Sequence, residues 1–411
     1  MPSEPASVLE APPPRFSPGE VARIAAEVFG VTGTAVDLGS ERDQTFLIDD
    51  GRDGGGVLKI SNLGEDPAVL DLETEAILHV TRVDSAVPVA RPRRAGAASD
   101  GASAYRSTVE GEDGTHFVRM FERRAGRTRS GARVDDATVY AFAAMSARLS
   151  RALRGFFHPA AGRELLWDLQ RAAKLRTIAG WIDDPRRRAL VERVLDRYDT
   201  HVRPRWPHLR AQVVHGDFTL GNVLLEEPCG SDPQGDGRSR ISGIVDFGDT
   251  CHTAQVADFA VGVASLLRGR TGDDVFRIAR IAIDGYASEA PLEPHELAVL
   301  GDLVAARLAA LVTISAWRVR RYPENAAYIQ AEDDDSWALL ELFAATGADE
   351  VAYRLGAPRP PVPTSELAQR RRRALGPALT ELTYHVPVHV VRGEGVWLFD
   401  ASGRRLLDAY N

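Results

Sequence analysis

The string His215-Gly216-Asp217-Phe218-Thr219-Leu220-Gly221-Asn222 sets a carboxylate and an amide five residues apart, between the β-prone segments Gln212–Val214 and Val223–Leu225 and therefore on a loop. That separation is the one used in catalytic loops for phosphoryl transfer. Such chemistry needs one carboxylate, Asp217, to take the proton of an acceptor hydroxyl and orient its oxygen. It needs an amide oxygen, Asn222, to help hold a divalent cation without adding negative charge beside the phosphates. Taken alone, the string also suits a turn whose Asp and Asn bond to local backbone. A second string narrows the choice. Ile244-Val245-Asp246-Phe247-Gly248-Asp249 ends an apolar strand on an aspartate followed by Phe-Gly, with only a hairpin between the two strings. An aspartate so placed bridges metal to the β- and γ-phosphates.

Upstream, Val57-Leu58-Lys59-Ile60 puts a lysine inside an apolar strand, where its ammonium needs an anionic partner or a route to water. The functional reading gives Lys59 the α- and β-phosphates and a glutamate partner on the following helix. Glu73 shares the phase of Ala76, Ile77 and Val80; Glu75 is its rival. The turn Leu38–Gln44 lies where a nucleotide-covering loop belongs. It has one glycine, so phosphate contact falls to Ser40 and backbone N–H groups. No G-x-x-x-x-G-K-[ST] string occurs, which removes the other large nucleotide-binding class. Asp258 reads as a buried brace for the loop and His215 as a hydrogen-bonded scaffold residue. The run Glu332–Asp335 reads as a solvated face, with a substrate ammonium as the alternative.

To bring these groups together the chain needs an α+β frame. Ser17-Pro18-Gly19-Glu20 is a capping box opening a helix with Val21, Ile24 and Val28 on one face and Gly30 as its stop. From about Thr34 to Ile60, short β-prone segments alternate with turn chemistry, as in an antiparallel meander. Asp66–Arg82 reads as a helix, followed by extended segments at Val87–Pro92, Ala104–Glu110 and His116–Phe121. Helices then dominate: Thr138–Leu153, Leu165–Ile182 and Asp184–Val202. A short β island carries both motifs, with a hairpin loop at Glu226–Arg240, and the chain is helical again beyond Asp258. The expected fold is two-lobed: a small antiparallel β N-lobe (17–122) and a mostly helical C-lobe (123–355). A proline-rich disordered arm (1–16) precedes it and a linker (356–380) follows.

Composition excludes some classes. With 50 basic against 58 acidic residues the chain lacks the basic excess of a nucleic-acid binder. Cys229 and Cys251 support neither a disulfide framework nor a zinc site, which fits a cytoplasmic setting. The first residues have no signal-peptide pattern. Leu297–Trp317 is broken by Asp302 and Arg307 and reads as buried helix rather than a membrane span.

In this order the motifs resemble the aminoglycoside-phosphotransferase and choline-kinase superfamily over roughly Ser17–Leu355. Arg42-Asp43-Gln44-Thr45-Phe46-Leu47, His158-Pro159 with Trp167-Asp168-Leu169, and Ser315-Ala316-Trp317-Arg318 look more specifically like hydroxylysine-kinase-like proteins. The resemblance implies a protein-kinase-like fold, ATP or GTP as phosphate donor, Mg2+, and a small hydroxy-amino acid or amino alcohol as acceptor. It makes Asp217 the base, Asn222 and Asp246 the metal ligands, and Lys59, Glu73, Ser40 and Met120 the nucleotide-binding set. Thr45 stands where the family pattern has Asn, and Glu73 where it has Gln.

The C-terminal stretch, within 381–411, is similar to the opening of a class III pyridoxal-phosphate-dependent aminotransferase, a hairpin around an Asp-x-x-Gly turn. The expectation is a truncated chain from a longer fusion, whose missing part would bind pyridoxal phosphate and act on the phosphorylated product. Two other readings compete. An aminoglycoside or amino-sugar kinase would want several acidic residues at the acceptor, where a small carboxylate-bearing substrate wants an arginine such as Arg307 or Arg318. A pseudokinase module regulating the fused enzyme is the third, and intact Lys59, Asp217, Asn222 and Asp246 argue against it.

Overall fold

The computed structural model describes residues 13–39, 43–51, 54–96, 101–226, 239–323, 326, 330, 333–358, 364–375, 388–401 and 403–408. The chain divides into two compact units, Met1–Ala357 and Pro358–Asn411. Ser40, most of the N-terminal arm, the tip of the 226–240 hairpin, Glu332 and parts of the linker lie outside the described residues.

Helix α1 (Pro18–Phe29) begins on the capping box the sequence predicts. Ser17 accepts from the Glu20 N–H, the Glu20 carboxylate accepts from the Ser17 N–H at 2.8 Å, and Gly30 at φ 68° turns the chain off the helix. Five strands follow: β1 (Thr34–Asp37), β2 (Gln44–Asp49), β3 (Gly56–Ile60), β4 (Arg106–Glu110) and β5 (Thr115–Glu122). They form one antiparallel sheet in the order β1-β2-β3-β5-β4, with helix α2 (Pro67–Val83) inserted between β3 and β4. Alternation then sorts side chains to the two faces. Phe46, Leu58, Ile60, Val118 and Met120 pack with α1 as the small lobe's core. Thr45, Lys59, Arg119 and Arg106 are register partners across β2, β3, β5 and β4, and line the other face.

The motifs sit on a second, smaller β arrangement. Strand β6 (Ala211–Val214) pairs with β9 (Cys251–Ala254), and β7 (Val223–Glu226) pairs with β8 (Arg240–Ile244). The 215–222 loop runs from the first ladder to the second, and the 245–250 segment runs back. Two connections between the same two ladders must lie side by side, and this brings the two aspartate motifs together. The extended stretch at 87–92 ties the sheet to this region: Ala90 N–H donates to the Ile244 carbonyl, and Ile244 N–H to that of Pro88.

Around these strands pack α3 (Asp136–Ala152), α4 (Pro185–Arg197), α5 (Gln255–Leu267), α6 (Asp273–Ala287), α7 (Pro294–Arg321), α8 (Asp333–Thr346) and α9 (Ala348–Arg354), over one continuous apolar core. Two predicted helices come out shorter. Leu165–Ile182 resolves into 3-10 turns at Leu169–Thr177 and Ala179–Trp181. Buried Asp168, which caps the Gln170 N–H and accepts from Thr253, starts the first turn late, and Arg171 leaves helical geometry. Helix α4 ends at Arg197 and widens into a π turn at Tyr198–Val202, ahead of Pro204. Helix α7 is long and apolar enough to cross a membrane, but most of it is buried in the core. The charges that interrupt it have partners: Asp302 pairs with Arg197 and His201, and Arg307 reaches Asp217.

The second unit holds helix α10 (Thr364–Leu375) and a three-stranded antiparallel sheet, β10 (Val390–Glu394), β11 (Trp397–Asp400) and β12 (Arg405–Leu407). One hairpin was expected and two form. The Asp-x-x-Gly turn joins β11 to β12, where the Asp400 carboxylate accepts from the Arg404 N–H. Gly395, at φ 58°, turns β10 into β11.

Gly285 on α6 tests how closely this core is packed. A Cβ there would lie 3.0 Å from Cα of Tyr140 on α3, with the Tyr140 carbonyl oxygen nearer still. At an exposed helix position Gly→Ala gains up to about 1 kcal/mol. Here overpacking reverses the sign, and Gly285→Ala should lose about 1–3 kcal/mol in a denaturant melt.

Candidate active site

Asp217 leaves β6 with its two carboxylate oxygens engaged. Oδ1 accepts from Nη2 of Arg307 at 2.7 Å, and Oδ2 accepts from Nδ2 of Asn222 at 2.8 Å. The Asn222 amide also donates to the Asp217 carbonyl at 2.9 Å, which turns its own oxygen away from the Asp217 carboxylate. Asn222 then passes directly to the second motif, because its carbonyl accepts from the Val245 N–H at 3.0 Å. The next residue, Asp246, has φ 61° and ψ 71°. Among the described residues it is the one non-glycine side chain on left-handed backbone. Asp enters this region more readily than most residues, and backbone of this kind clusters at functional sites. Its Oδ1 accepts from Nζ of Lys59 at 2.9 Å and from the Gly248 N–H. Lys59, Asp217, Asn222 and Asp246 thus meet, as their spacing predicts. Asn222 and Asp246 bring only oxygen donors, the kind a hard divalent cation takes.

Two nucleotide-set assignments are corrected. Glu73 does not pair with Lys59; its Oε2 accepts from Nη1 of Arg119 at 2.8 Å. Arg119 stands opposite Lys59 in the β3–β5 register and is buried, so it needs the carboxylate more than Lys59, whose ammonium has Asp246. Together with Arg106–Asp71, this pair lashes α2 to the sheet. Arg119 carries the signal that exposed Lys59, a cation inside an apolar strand, and could have been found by it. Met120 is one residue out of phase for the cleft. It packs against α1 in the core on the face opposite Lys59, so it does not line a nucleotide site beside that lysine. Ser40 lies outside the described residues.

Buried groups hold the two loops in place. Asp258, on α5, accepts from the Gly216 N–H at 2.8 Å, the bracing role expected of it. His215 Nε2 donates to the Val245 carbonyl and its Nδ1 accepts from the Asp217 N–H, which spends both ring nitrogens on scaffolding. Its ring packs on Phe247 at 4.6 Å and edge-on to Phe218, so one aromatic cluster spans both motifs. Gly216, at φ 85°, runs so close to the Asp249 carbonyl that no Cβ fits.

Residues 32–297 match the model of a phosphotransferase enzyme family. The chain belongs to that family. It is 24% identical over 343 residues to the hydroxylysine kinase of Mus musculus, covering 80% of this chain and 89% of that protein. To the hydroxylysine kinase of Danio rerio it is 26% identical over 353 residues, covering 83% and 95%. Among solved structures, a microcompartment-associated aminopropanol kinase aligns with TM-score 0.62 at 21% identity, over 82% of this chain and 99% of that one. An amicoumacin kinase in complex with AMP-PNP, Ca2+ and Ami aligns with TM-score 0.57 at 15% identity, over 80% and 98%. The fold is the protein-kinase-like one, an antiparallel β lobe and a helical lobe. The protein is a phosphotransferase.

Burial, with charge crowding second, sets the electrostatics of this phosphotransferase. Burial pushes the Asp217 carboxyl up to about 6; Arg307 opposes the rise, Asp249 and Asp246 reinforce it, and Asn222 opposes it. Burial likewise raises Asp258 to about 6, against the pull of His215 and the Gly216 N–H. Burial works against the charge of Lys59, but Asp246, Glu73 and Asp43 outweigh it and hold the lysine above its ordinary value. His215 is lowered, chiefly by burial, and is neutral at physiological pH.

Two measurements follow from these pairs. Removing one partner of the buried Glu73–Arg119 pair by Glu73→Gln should cost about 3–5 kcal/mol in a denaturant melt, because Arg119 keeps an uncompensated charge. In nucleotide-free protein, a carbon-13 titration of labelled aspartate should show two carboxyls ionising near 6, well above the usual 3.8. Asp217→Asn should remove one and Asp258→Asn the other. Both groups keep protons that the unfolded chain releases, so each lowers stability as pH rises from about 4 toward 6. Arg307→Gln should move the Asp217 midpoint up, since it removes a neighbouring positive charge.

Proposed function

We propose that this chain is a Mg2+-dependent kinase that moves the γ-phosphate of ATP or GTP to the hydroxyl of a small hydroxy-amino acid or amino alcohol. The observation that carries the reading is the convergence of Asp217, Asn222, Asp246 and Lys59 from three separate stretches of sequence. The names of the relatives, hydroxylysine kinase and aminopropanol kinase, support an acceptor bearing both an amine and a hydroxyl. The amicoumacin kinase complex, with its nucleotide analogue and divalent cation, supports the donor and the metal.

In this reading Asp217 receives the acceptor's hydroxyl hydrogen bond and points that oxygen at the γ-phosphorus. The new O–P bond forms as the bond to the β-phosphate oxygen breaks. The hydroxyl proton passes to Asp217, and the nucleoside diphosphate leaves. Asn222 and Asp246 would hold Mg2+; two oxygen ligands suit an ion that takes few protein ligands and completes its shell with phosphates and water. When bound, the ion neutralises charge on the β- and γ-phosphates. Lys59 adds a second positive charge on the same side. A raised Asp217 pKa brings the base nearer the working pH, where proton transfer is most efficient.

The proposal places the enzyme in the cytoplasm and extends to the C-terminal unit. Its resemblance to the start of a class III aminotransferase supports a coupled step in which a pyridoxal-phosphate lyase or aminotransferase consumes the phosphorylated product. The kinase itself is tested by an acceptor screen of hydroxylated amino acids, amino alcohols and amino sugars, read by nucleoside diphosphate release. Turnover should concentrate in the first two groups and require Mg2+. Asp217→Asn should lower kcat by roughly 100-fold or more while leaving nucleotide affinity near wild type. Turnover retained in that variant would remove Asp217 from the role of base.

A further inference from the structure

Arg307 occupies an unusual place. It lies on α7, the longest of the described helices and largely buried, with 11% of its side chain exposed. The other interrupting charge on that helix, Asp302, has its counter-charges in Arg197 and His201. Among the described residues the one carboxylate within ion-pair distance of Arg307 is Asp217. A guanidinium that touches the base at 2.7 Å stands within a few bond lengths of the acceptor hydroxyl, because that hydroxyl must reach the same carboxylate. It also holds Oδ1 while Asn222 holds Oδ2. Each carboxylate oxygen keeps a second acceptor position, but without the guanidinium beside it Asp217 would be the stronger base, so catalysis gains if Arg307 has somewhere else to go.

The surroundings describe what would replace Asp217. Arg268, at the C-cap of α5, is depressed by burial and then by the charge of Arg307, so two arginines share this corner. An acidic edge lies nearby. Asp335 Oδ2 is 3.8 Å from the place a Cβ would occupy on Gly269, the residue after Arg268, with Nε of Arg133 nearer at 3.4 Å, and Asp333 and Asp335 are among the carboxylates whose charge Arg268 feels. Asp333 accepts from the Ser315 hydroxyl at 2.8 Å, and Ser315 is eight residues, about 12 Å, along α7 from Arg307. Arginines beside Asp217 suit an acceptor that brings its own carboxylate into the corner where its hydroxyl reacts.

We propose that Arg307 is the carboxylate receptor of the acceptor site and guards the base: an incoming carboxylate takes the place of Asp217 on the guanidinium and releases Oδ1 to the acceptor's hydroxyl. The exchange trades one Arg–carboxylate pair for another. An amino alcohol offers no such trade, since freeing Asp217 would leave a buried guanidinium without a counter-charge. The acceptor is therefore a hydroxy-amino acid rather than its decarboxylated amine. This deepens the kinase reading above and rests on it.

The test uses acceptor pairs that differ only in the carboxylate: threonine against 1-aminopropan-2-ol, homoserine against 3-aminopropan-1-ol, and 5-hydroxylysine against its decarboxylated amine. With wild-type enzyme, kcat/KM of the carboxylate member should exceed that of its partner at least about tenfold in whichever pair is turned over best. Arg307→Gln should bring that ratio to about 1 by lowering the amino-acid value, with nucleotide binding as the check on folding; Arg307→Lys should keep part of the preference. Should Arg307→Gln fail to fold, the wild-type ratio and Arg307→Lys still decide. Equal or better turnover of the amino alcohols overturns the proposal and leaves the kinase reading standing. Equal loss on both members of a pair assigns Arg307 to the transferred phosphoryl group and also overturns it. No turnover of any acceptor removes the kinase reading, and the proposal with it.

Discussion

Asp217, Asp246 and Asp249 crowd one small volume, and much of the surrounding structure answers their mutual repulsion. Asp217 feels both of the others as charges that raise its pKa, and it stays usable because Arg307 and Asn222 pull the other way. Asp246 is met by Lys59 from a different lobe. The contact between the lobes is thus partly an electrostatic one, and it is made at the point where a triphosphate chain would need positive charge.

Crowded charges stay in register only on a stiff frame. Here the frame is the pair of antiparallel ladders that both motif loops connect, reinforced by His215 and Asp258. Neither of these is placed to exchange protons with a substrate. His215 spends both nitrogens on backbone, and Asp258 is committed to Gly216. Their work is positional: they fix the peptide planes on either side of Asp217, so that its carboxylate is oriented before any substrate arrives. The Phe218–His215–Phe247 cluster extends the same constraint to Asp246.

The sheet face that carries Lys59 shows how a neighbour can redirect a motif. Thr45, Lys59, Arg119 and Arg106 form one polar row across four strands, and α2 lies against it with Asp71 and Glu73. Glu73 is near enough to Lys59 to stabilise its charge, yet its hydrogen bond goes to Arg119. Burial explains the preference. Arg119 is almost fully enclosed and must have a counter-charge, whereas Lys59 retains some exposure and reaches Asp246. The helix is thereby fixed to the sheet by ion pairs that belong to structure, leaving Lys59 directed at the cleft.

Sequence alone was enough for whatever depends on short-range pattern. The capping box at Ser17, the phase of α2, the strand–loop–strand setting of Asp217 and Asn222, and the apolar strand ending at Asp246 are all local, because hydrogen-bond spacing and side-chain alternation are properties of neighbouring residues. The bracing role of Asp258 was legible too, since the one charged residue of an otherwise uncharged, largely apolar helix has few other uses. Tertiary structure decided the pairings. Which carboxylate takes Arg119, which face receives Met120, where the 165–202 helices break, and that Arg307 lies on Asp217 all depend on groups far apart in the chain competing for the same partner. Nothing within a strand or helix records that competition. It is settled only when burial makes one charge more costly to leave alone than another.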